Sequence, residues 1–214
     1  MNLEDIITTR RSIRKFSDER IDKELLEKII SAGNYAPSHC NTQAWRFIVV
    51  DDAKIQNDIF EFGGPEIVKN APVGILVLYN TALSDNIEYQ DWIQSASAAI
   101  QNMLLTIHSL GLGGCWVCHL PPKRTLSMIF NIQRPYSPVA YIILGYPRQK
   151  TVDIPRKHDI KEIYSMNRYI WPEEKTSPTI HLKRIGRKTY FYLPAFVKKI
   201  IQPLVNKLTR KFEN

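Results

Sequence analysis

A mixed α and β fold is predicted for this 214-residue chain. Three observations predict it. Apolar residues recur at helical spacing from about Glu88 to His108. Two continuous apolar runs, residues 73–79 and 138–147, have the length and the branched or aromatic content of buried strands. Shorter helical patterns alternate with strand-like ones along the rest of residues 1–149. The pattern leaves open whether the strands run parallel.

The elements follow in order. Leu3, Ile6 and Ile7 have helical spacing ahead of Thr8-Thr9-Arg10-Arg11. Asp22 is placed to cap a helix whose apolar face is Leu25, Leu26, Ile29 and Ile30, with Gly33 as its stop. The polar loop NYAPSHCNTQAW leads into a strand, RFIVV. Residues 52–61 suit a short helix and VGILVLY a strand. In the long helix Trp92, Ile93, Ala96, Ala99, Ile100, Met103, Leu104 and Ile107 form a wide stripe, which suits a core centre or a subunit interface. Gly111 and Gly113 are placed to end it. CWVCHL then reads as a strand, Pro122–Phe130 as a short helix and PVAYIILGYP as the last strand.

Composition narrows the class. With 44% hydrophobic residues the chain can bury one core, with an appendage. Three cysteines, Cys40, Cys115 and Cys118, are too few for a disulfide framework and fit a reducing compartment. Glu4 and Asp5 stand where an export signal would be basic, and no apolar run is long enough to span a bilayer, so a cytoplasmic protein is expected. The net charge of +8 is unevenly placed. Residues 150–214 carry +9 and residues 1–149 carry −1, so the basic character belongs to the last third.

Two stretches carry candidate chemistry. In TTRRSIRKF, Arg10, Arg11, Ser12, Arg14 and Lys15 fall within six residues. Guanidinium forks and a hydroxyl suit a phosphate. Alone, a solvated basic loop is the simpler reading. In APSHCNTQAW, Asn41 and Gln43 can hydrogen-bond a heterocycle, although Ser38 and Asn41 equally suit turn backbone. A third stretch, Cys-Trp-Val-Cys-His at 115–119, has the spacing of a c-type haem attachment and of a redox C-x-x-C. Zinc would need a fourth ligand, with His39, Cys40 or His108 as candidates. Strand alternation puts Cys115 and Cys118 on opposite faces, which disfavours zinc and a disulfide. No metal is expected, and the cysteines read as small apolar fillers, with a redox role for Cys118 left open. His108 lies at a helix C-terminus, where a cation or a surface position is favoured. It, His158 and His181 read as structural.

Four motifs in order then carry a resemblance. RRSIR at 10–14, APSHCNTQ at 36–43, the helix exit GLGGCW at 111–116 and the late strand-turn segment from RPYSPVAYIILGYP to Arg156 resemble the nitroreductase family of FMN-dependent oxidoreductases. Residues 1–163 are covered. The resemblance implies an α+β fold, a mixed sheet flanked by helices, built as an intertwined homodimer with FMN at the interface. It implies that Arg10, Arg11, Ser12, Arg14 and Arg156 hold the FMN phosphate and ribityl chain. Pro37, Ser38, His39 and Asn41 would reach the flavin bound mainly by the other subunit, with Gln43 nearby. Val117, Cys118 and His119 would pass the flavin ring near N5, where their backbone donates. The family commonly has smaller or acidic residues at 118–119 and a proline where this chain has Ala44. The implied activity is hydride transfer from NADH or NADPH through flavin N5 to a small acceptor, a quinone, a nitroaromatic or a specialised metabolite, with ping-pong kinetics. The other reading is a non-catalytic protein on this fold that binds a membrane or a partner.

Residues 164–214 exceed the resemblance and read as a basic extension. Within 190–212 apolar residues such as Phe196, Ile200 and Leu204 alternate helically with Lys198, Lys199, Lys207 and Arg210, and Pro203 divides the stretch. Packing on the dimer is favoured, with peripheral membrane contact as the alternative. The cluster at 183–188 lacks a nucleic-acid module, and no nucleic-acid partner is expected.

Overall fold

A computed structural model describes residues 1–84, 86, 88–148, 151–173, 178–194, 197, 200 and 201. The chain divides into two compact units, Met1–Thr151 and Val152–Asn214.

The first unit runs α1 (Leu3–Thr9), α2 (Lys23–Asn34), β1 (Trp45–Val50), α3 (Ala53–Glu61), β2 (Val73–Asn80), α4 (Asp91–Ser109), β3 (Gly113–Val117), α5 (Lys123–Ile129) and β4 (Tyr136–Gly145). The four strands form one sheet in the order β1-β2-β4-β3, and every ladder is antiparallel. Side chains alternate between two buried clusters. Ile75, Val77 and Tyr79 of β2 meet Ile29 of α2 and Ile100 and Met103 of α4. Leu76 and Leu78 face the other way, with Ile59 of α3 and Leu126 of α5. The sheet is therefore covered on both faces, which is why its central strands read as unbroken apolar runs rather than as alternating ones.

Local chemistry explains the helix ends. Asp52 caps α3 by accepting from the N–H groups of Lys54 and Ile55. α4 starts at Asp91, later than the periodicity suggests, because Gln90 has a left-handed backbone (φ 49°) that closes a turn. It ends with Gly111 N–H donating to His108 and Leu112 N–H to Ile107, with Gly111 at φ +77°. That is a Schellman stop, and it favours glycine.

Two other glycines were expected as helix stops and are not. α2 continues through Gly33, which is buried, and a Cβ there would meet Met103 Sδ at 2.8 Å. Gly113 belongs to β3, where a Cβ would meet Ile13 at 2.7 Å. Both let neighbouring elements approach closely.

The second unit contains α6 (Pro178–Tyr192) and a short turn at Ile160–Glu162 closed by a reciprocal Asp159–Glu162 capping box. Trp171 Nε1 donates to the Glu162 carbonyl at 2.6 Å. α6 begins upstream of the expected amphipathic stretch at 190–212 and overlaps only its first residues, 190–192. Of that stretch, residues 195, 196, 198, 199 and 202–212, including Pro203, lie outside the described residues. Among the described residues no helix is long and apolar enough to cross a membrane.

Candidate functional site

The arginine segment lies against β3. Ser12 forms a parallel bridge with Gly114, and Ile13 N–H donates to the Gly114 carbonyl at 3.0 Å. Ile13 is buried, so alternation places Ser12 and Arg14 on the opposite face of this extended segment. Gly113 permits the contact, since any side chain there would collide with Ile13. Arg11 Nη1 donates to the carbonyls of Thr8 and Arg10 at 2.7 and 3.0 Å, which closes the C-terminal end of α1.

Two titrating groups register the local field. Burial raises the Cys115 thiol pKa above its ordinary value, opposed by Arg14, by a hydrogen bond from Ser12 and by Arg10. Burial lowers the His108 pKa, and the charges of Arg10 and Arg11 lower it further. Of the two alternatives that a helix C-terminus favours, a cation or a surface position, the lowered pKa opposes the cation, because the ring is half-buried and two guanidinium groups stand nearby. His108 Nε2 instead lies 2.9 Å from Thr9 Oγ1.

β3 leads from the arginine segment into the second candidate group. Val117 is buried, whereas Cys118 and His119 are exposed in the loop that follows. The strand ends at Val117, short of the expected CWVCHL. Cys115 is buried and Cys118 exposed, and both are free thiols. The loop ends at α5, where Lys123 Nζ stands 4.1 Å from the centre of the Trp92 ring.

The third group is the loop at 37–43. Cys40, Asn41 and Gln43 all have positive φ, an unusual run for residues other than glycine. Hydrogen bonds hold it. Gln43 N–H donates to Ser38 Oγ at 3.0 Å and Gln43 Nε2 to Asn41 Oδ1 at 2.7 Å. Thr42 Oγ1 lies 2.7 Å from Tyr79 Oη. His39 fastens the loop to α4. Its N–H donates to Ser95 Oγ at 3.0 Å, and its Nε2 lies 3.2 Å from Asp91 Oδ2. Pro37, Asn41 and Gln43 are exposed, and Ser38 and His39 half-buried.

The structure thus brings Arg10, Arg11, Ser12 and Arg14 together beside β3, with Val117, Cys118 and His119 at the strand's far end. It holds Pro37–Gln43 at the start of α4, whereas Arg10 and His108 lie at its finish. Arg156 is exposed and belongs to the second unit.

The nitroreductase family profile matches residues 7–63 and 56–146, well over half of the chain. The chain belongs to the nitroreductase family. A candidate NADH dehydrogenase/NAD(P)H nitroreductase of Methanothermobacter thermautotrophicus is 37% identical over 155 residues, covering 70% of this chain and 79% of that protein. The crystal structure of a candidate nitroreductase from Desulfovibrio desulfuricans in complex with FMN is 31% identical, with a TM-score of 0.65 over 80% of this chain and 99% of that one. An FMN-dependent nitroreductase from Clostridium difficile gives a TM-score of 0.70 at 28% identity, over 78% of this chain and all of that one. The fold is the nitroreductase α+β fold.

The donors present suit the cofactor of such a nitroreductase. Ser12 and Arg14 share a face on an extended segment, and the field of Arg10 and Arg14 reaches the same thiol. That is the donor chemistry of a phosphate dianion.

Sequence reasoning missed Asp91, Ser95, Trp92 and Lys123, which fix the two loops. A signal for the first two exists. Asp91 and Ser95 are polar at i, i+4 within the apolar stripe of α4, and both are buried. A buried polar pair on a core-facing stripe needs partners, and here the pair holds His39.

Proposed function

We propose that the chain takes reducing equivalents from NADH or NADPH and delivers them to a small flat acceptor in alternating half-reactions at one site. A quinone, a nitroaromatic or a specialised metabolite fits this reading. Its coarser part, an FMN-dependent NAD(P)H oxidoreductase, follows from membership of the nitroreductase family and from relatives named for NAD(P)H and FMN. Bound FMN supplies the two-electron hydride chemistry. The chain's residues bind and orient. Arg10, Arg11, Ser12 and Arg14 hold the phosphate and ribityl chain, joined by Arg156. The backbone of Val117, Cys118 and His119 presents fixed N–H dipoles to the ring edge. Pro37, Ser38, His39, Asn41 and Gln43 close the site from a second copy.

The arrangement of Ser12 and Arg14 beside Gly114, with β3 leading on to Cys118, carries this reading. The spacing along α4 supports the homodimer. Asp91 and His108 are seventeen residues apart, about 26 Å at the rise of an α-helix. His39 is tied to the first and Thr9, next to Arg10, to the second. One mononucleotide does not span that length, so a second copy supplies one set to the other. Residues 1–163 form the flavin-binding part in this reading and 164–214 the extension, acting in the cytoplasm.

The visible spectrum of the purified protein tests it. Absorption near about 370 and 450 nm that bleaches with NAD(P)H and returns with a quinone is the expected result. A colourless protein that added FMN fails to reconstitute overturns it.

A further inference from the structure

We propose that the side-chain amides of Asn41 and Gln43 recognise the carboxamide of the nicotinamide donor, an inference that rests on the oxidoreductase reading above. Gln43 Nε2 donates to Asn41 Oδ1 at 2.7 Å, so the two amides are clasped to each other. The clasp consumes a donor of one and the acceptor of the other. Asn41 Nδ2 keeps its hydrogens and Gln43 Oε1 its lone pairs. Among the described residues neither side chain has a further partner, and both are exposed.

The loop holds this pair in place. Cys40, Asn41 and Gln43 have φ of 44°, 56° and 47°, the left-handed region that residues other than glycine seldom adopt. Such backbone costs free energy and persists only where surrounding contacts impose it, which is characteristic of ligand sites. Between the two amides Thr42 is tied to the body, with its Oγ1 2.7 Å from the Oη of buried Tyr79. Gln43 N–H donates to Ser38 Oγ and His39 N–H to Ser95 Oγ, both at 3.0 Å. The amides are therefore ordered before a ligand arrives, and binding loses less side-chain entropy.

A ligand that matches one free donor and one free acceptor must offer an acceptor and a donor in return. Of the substrates in the proposed reaction, the nicotinamide carboxamide has that pair. Its oxygen faces Asn41 Nδ2 and its NH2 group faces Gln43 Oε1. A quinone or a nitro group has acceptors only and leaves Gln43 Oε1 unmatched. The pyrimidine edge of FMN carries both functions too. In the reading above, the ring edge is served by the backbone of Val117, Cys118 and His119, so the amides from the second copy are left for the donor.

The experiment uses the full-length FMN-loaded protein and two donors. One is NADH or NADPH, whichever bleaches the flavin faster. The other is its reduced 3-acetylpyridine analogue, which keeps the carbonyl and lacks the N–H. Stopped-flow bleaching gives an apparent Kd for each, and fluorescence titration gives the FMN affinity of each variant. Gln43→Met should raise the Kd of the natural donor about 3- to 10-fold, the worth of one hydrogen bond, and leave that of the analogue within about twofold. Asn41→Asp is the independent arm and should weaken both donors, because both present a carbonyl to Asn41. Equal loss of the two donors in Gln43→Met, or no loss of either, overturns the inference. So does an FMN affinity that falls in step with donor affinity, since the amides then hold the flavin. In each of these cases bleaching by the wild-type protein leaves the oxidoreductase reading standing. A wild-type protein that binds FMN but that neither donor bleaches overturns both.

Discussion

His39 Nε2 lies 3.2 Å from Asp91 Oδ2, and this pair joins the 37–43 loop to the first turn of α4 across 52 positions of sequence. Asp91 is buried and also accepts from the Ser84 hydroxyl. That hydrogen bond is the largest cause holding its carboxyl below the ordinary value. Burial opposes it, and the His39 ring and two backbone contacts reinforce it.

A carboxyl whose pKa is lowered by folding stabilises the fold above its unfolded pKa, here near 3.8. The contribution fades as pH falls through the lower folded value. Asp91→Asn should therefore reduce the urea midpoint at neutral pH, and the gap to the wild-type protein should narrow only once pH falls below 3.8 toward the lowered folded value. Amide exchange at Cys40–Gln43 should quicken in the variant. An equal gap at both pH values would mean that the carboxylate charge does not matter.

A second expectation separates two kinds of glycine. A Cβ at Gly113 would sit 2.7 Å from the branched Cβ of Ile13, which backbone pairing holds against β3. Gly113→Ala should destabilise by about 1–3 kcal/mol and weaken FMN binding, because the arginine segment must move. A Cβ at Gly33 meets Met103 Sδ at 2.8 Å, and an unbranched thioether can rotate away. Gly33→Ala should cost less and leave FMN affinity unchanged. Thermal melts and flavin fluorescence titrations of the pair decide.

These two positions also show where the sequence stops being informative. β2 and β4 were legible because burial on both faces leaves an apolar run in the sequence itself. α4 was legible because its stripe is wide. Gly33 and Gly113 each sit at the end of an apolar pattern, as a helix stop would. Only Met103 and Ile13, distant in sequence, distinguish a packing glycine from a stop. α6 was missed for a related reason, because Ile180 and Phe191 fall among its basic residues at helical spacing and Gly186 interrupts it, so no single apolar stripe marks the helix. In the site, the arginine segment and both loops could be placed from motif order. Their anchors could not, since the ties between Asp91 and His39 and between Lys123 and Trp92 are long-range and leave no local spacing.

The phosphate assignment gives a ligand-specific expectation. Arg14→Gln should weaken FMN by about 10- to 100-fold, the worth of one or two charge-assisted hydrogen bonds. Riboflavin has the same ring and ribityl chain without the phosphate, so its affinity should stay within about twofold of the wild-type value. Fluorescence titration with both ligands measures the difference. Equal losses for the two would place Arg14 against the ring or in the fold, away from the phosphate.

His108 offers a reporter of the same charges. Burial is the first cause of its lowered pKa, and Arg10 and Arg11 add to it. The neutral ring is therefore favoured in the fold. Its contribution to stability is complete above the ordinary value of 6.5 and is lost as pH falls through the folded value. Arg10→Gln should raise the His108 pKa in an NMR titration, with Arg11 still holding part of the shift. Saturating FMN should raise it in the wild-type protein as well, because a phosphate dianion beside Arg10 offsets the guanidinium field. Riboflavin should leave it in place. If FMN binds and the His108 resonance does not respond, the phosphate lies away from Arg10, and the guanidinium groups at the end of α1 serve only to close that helix.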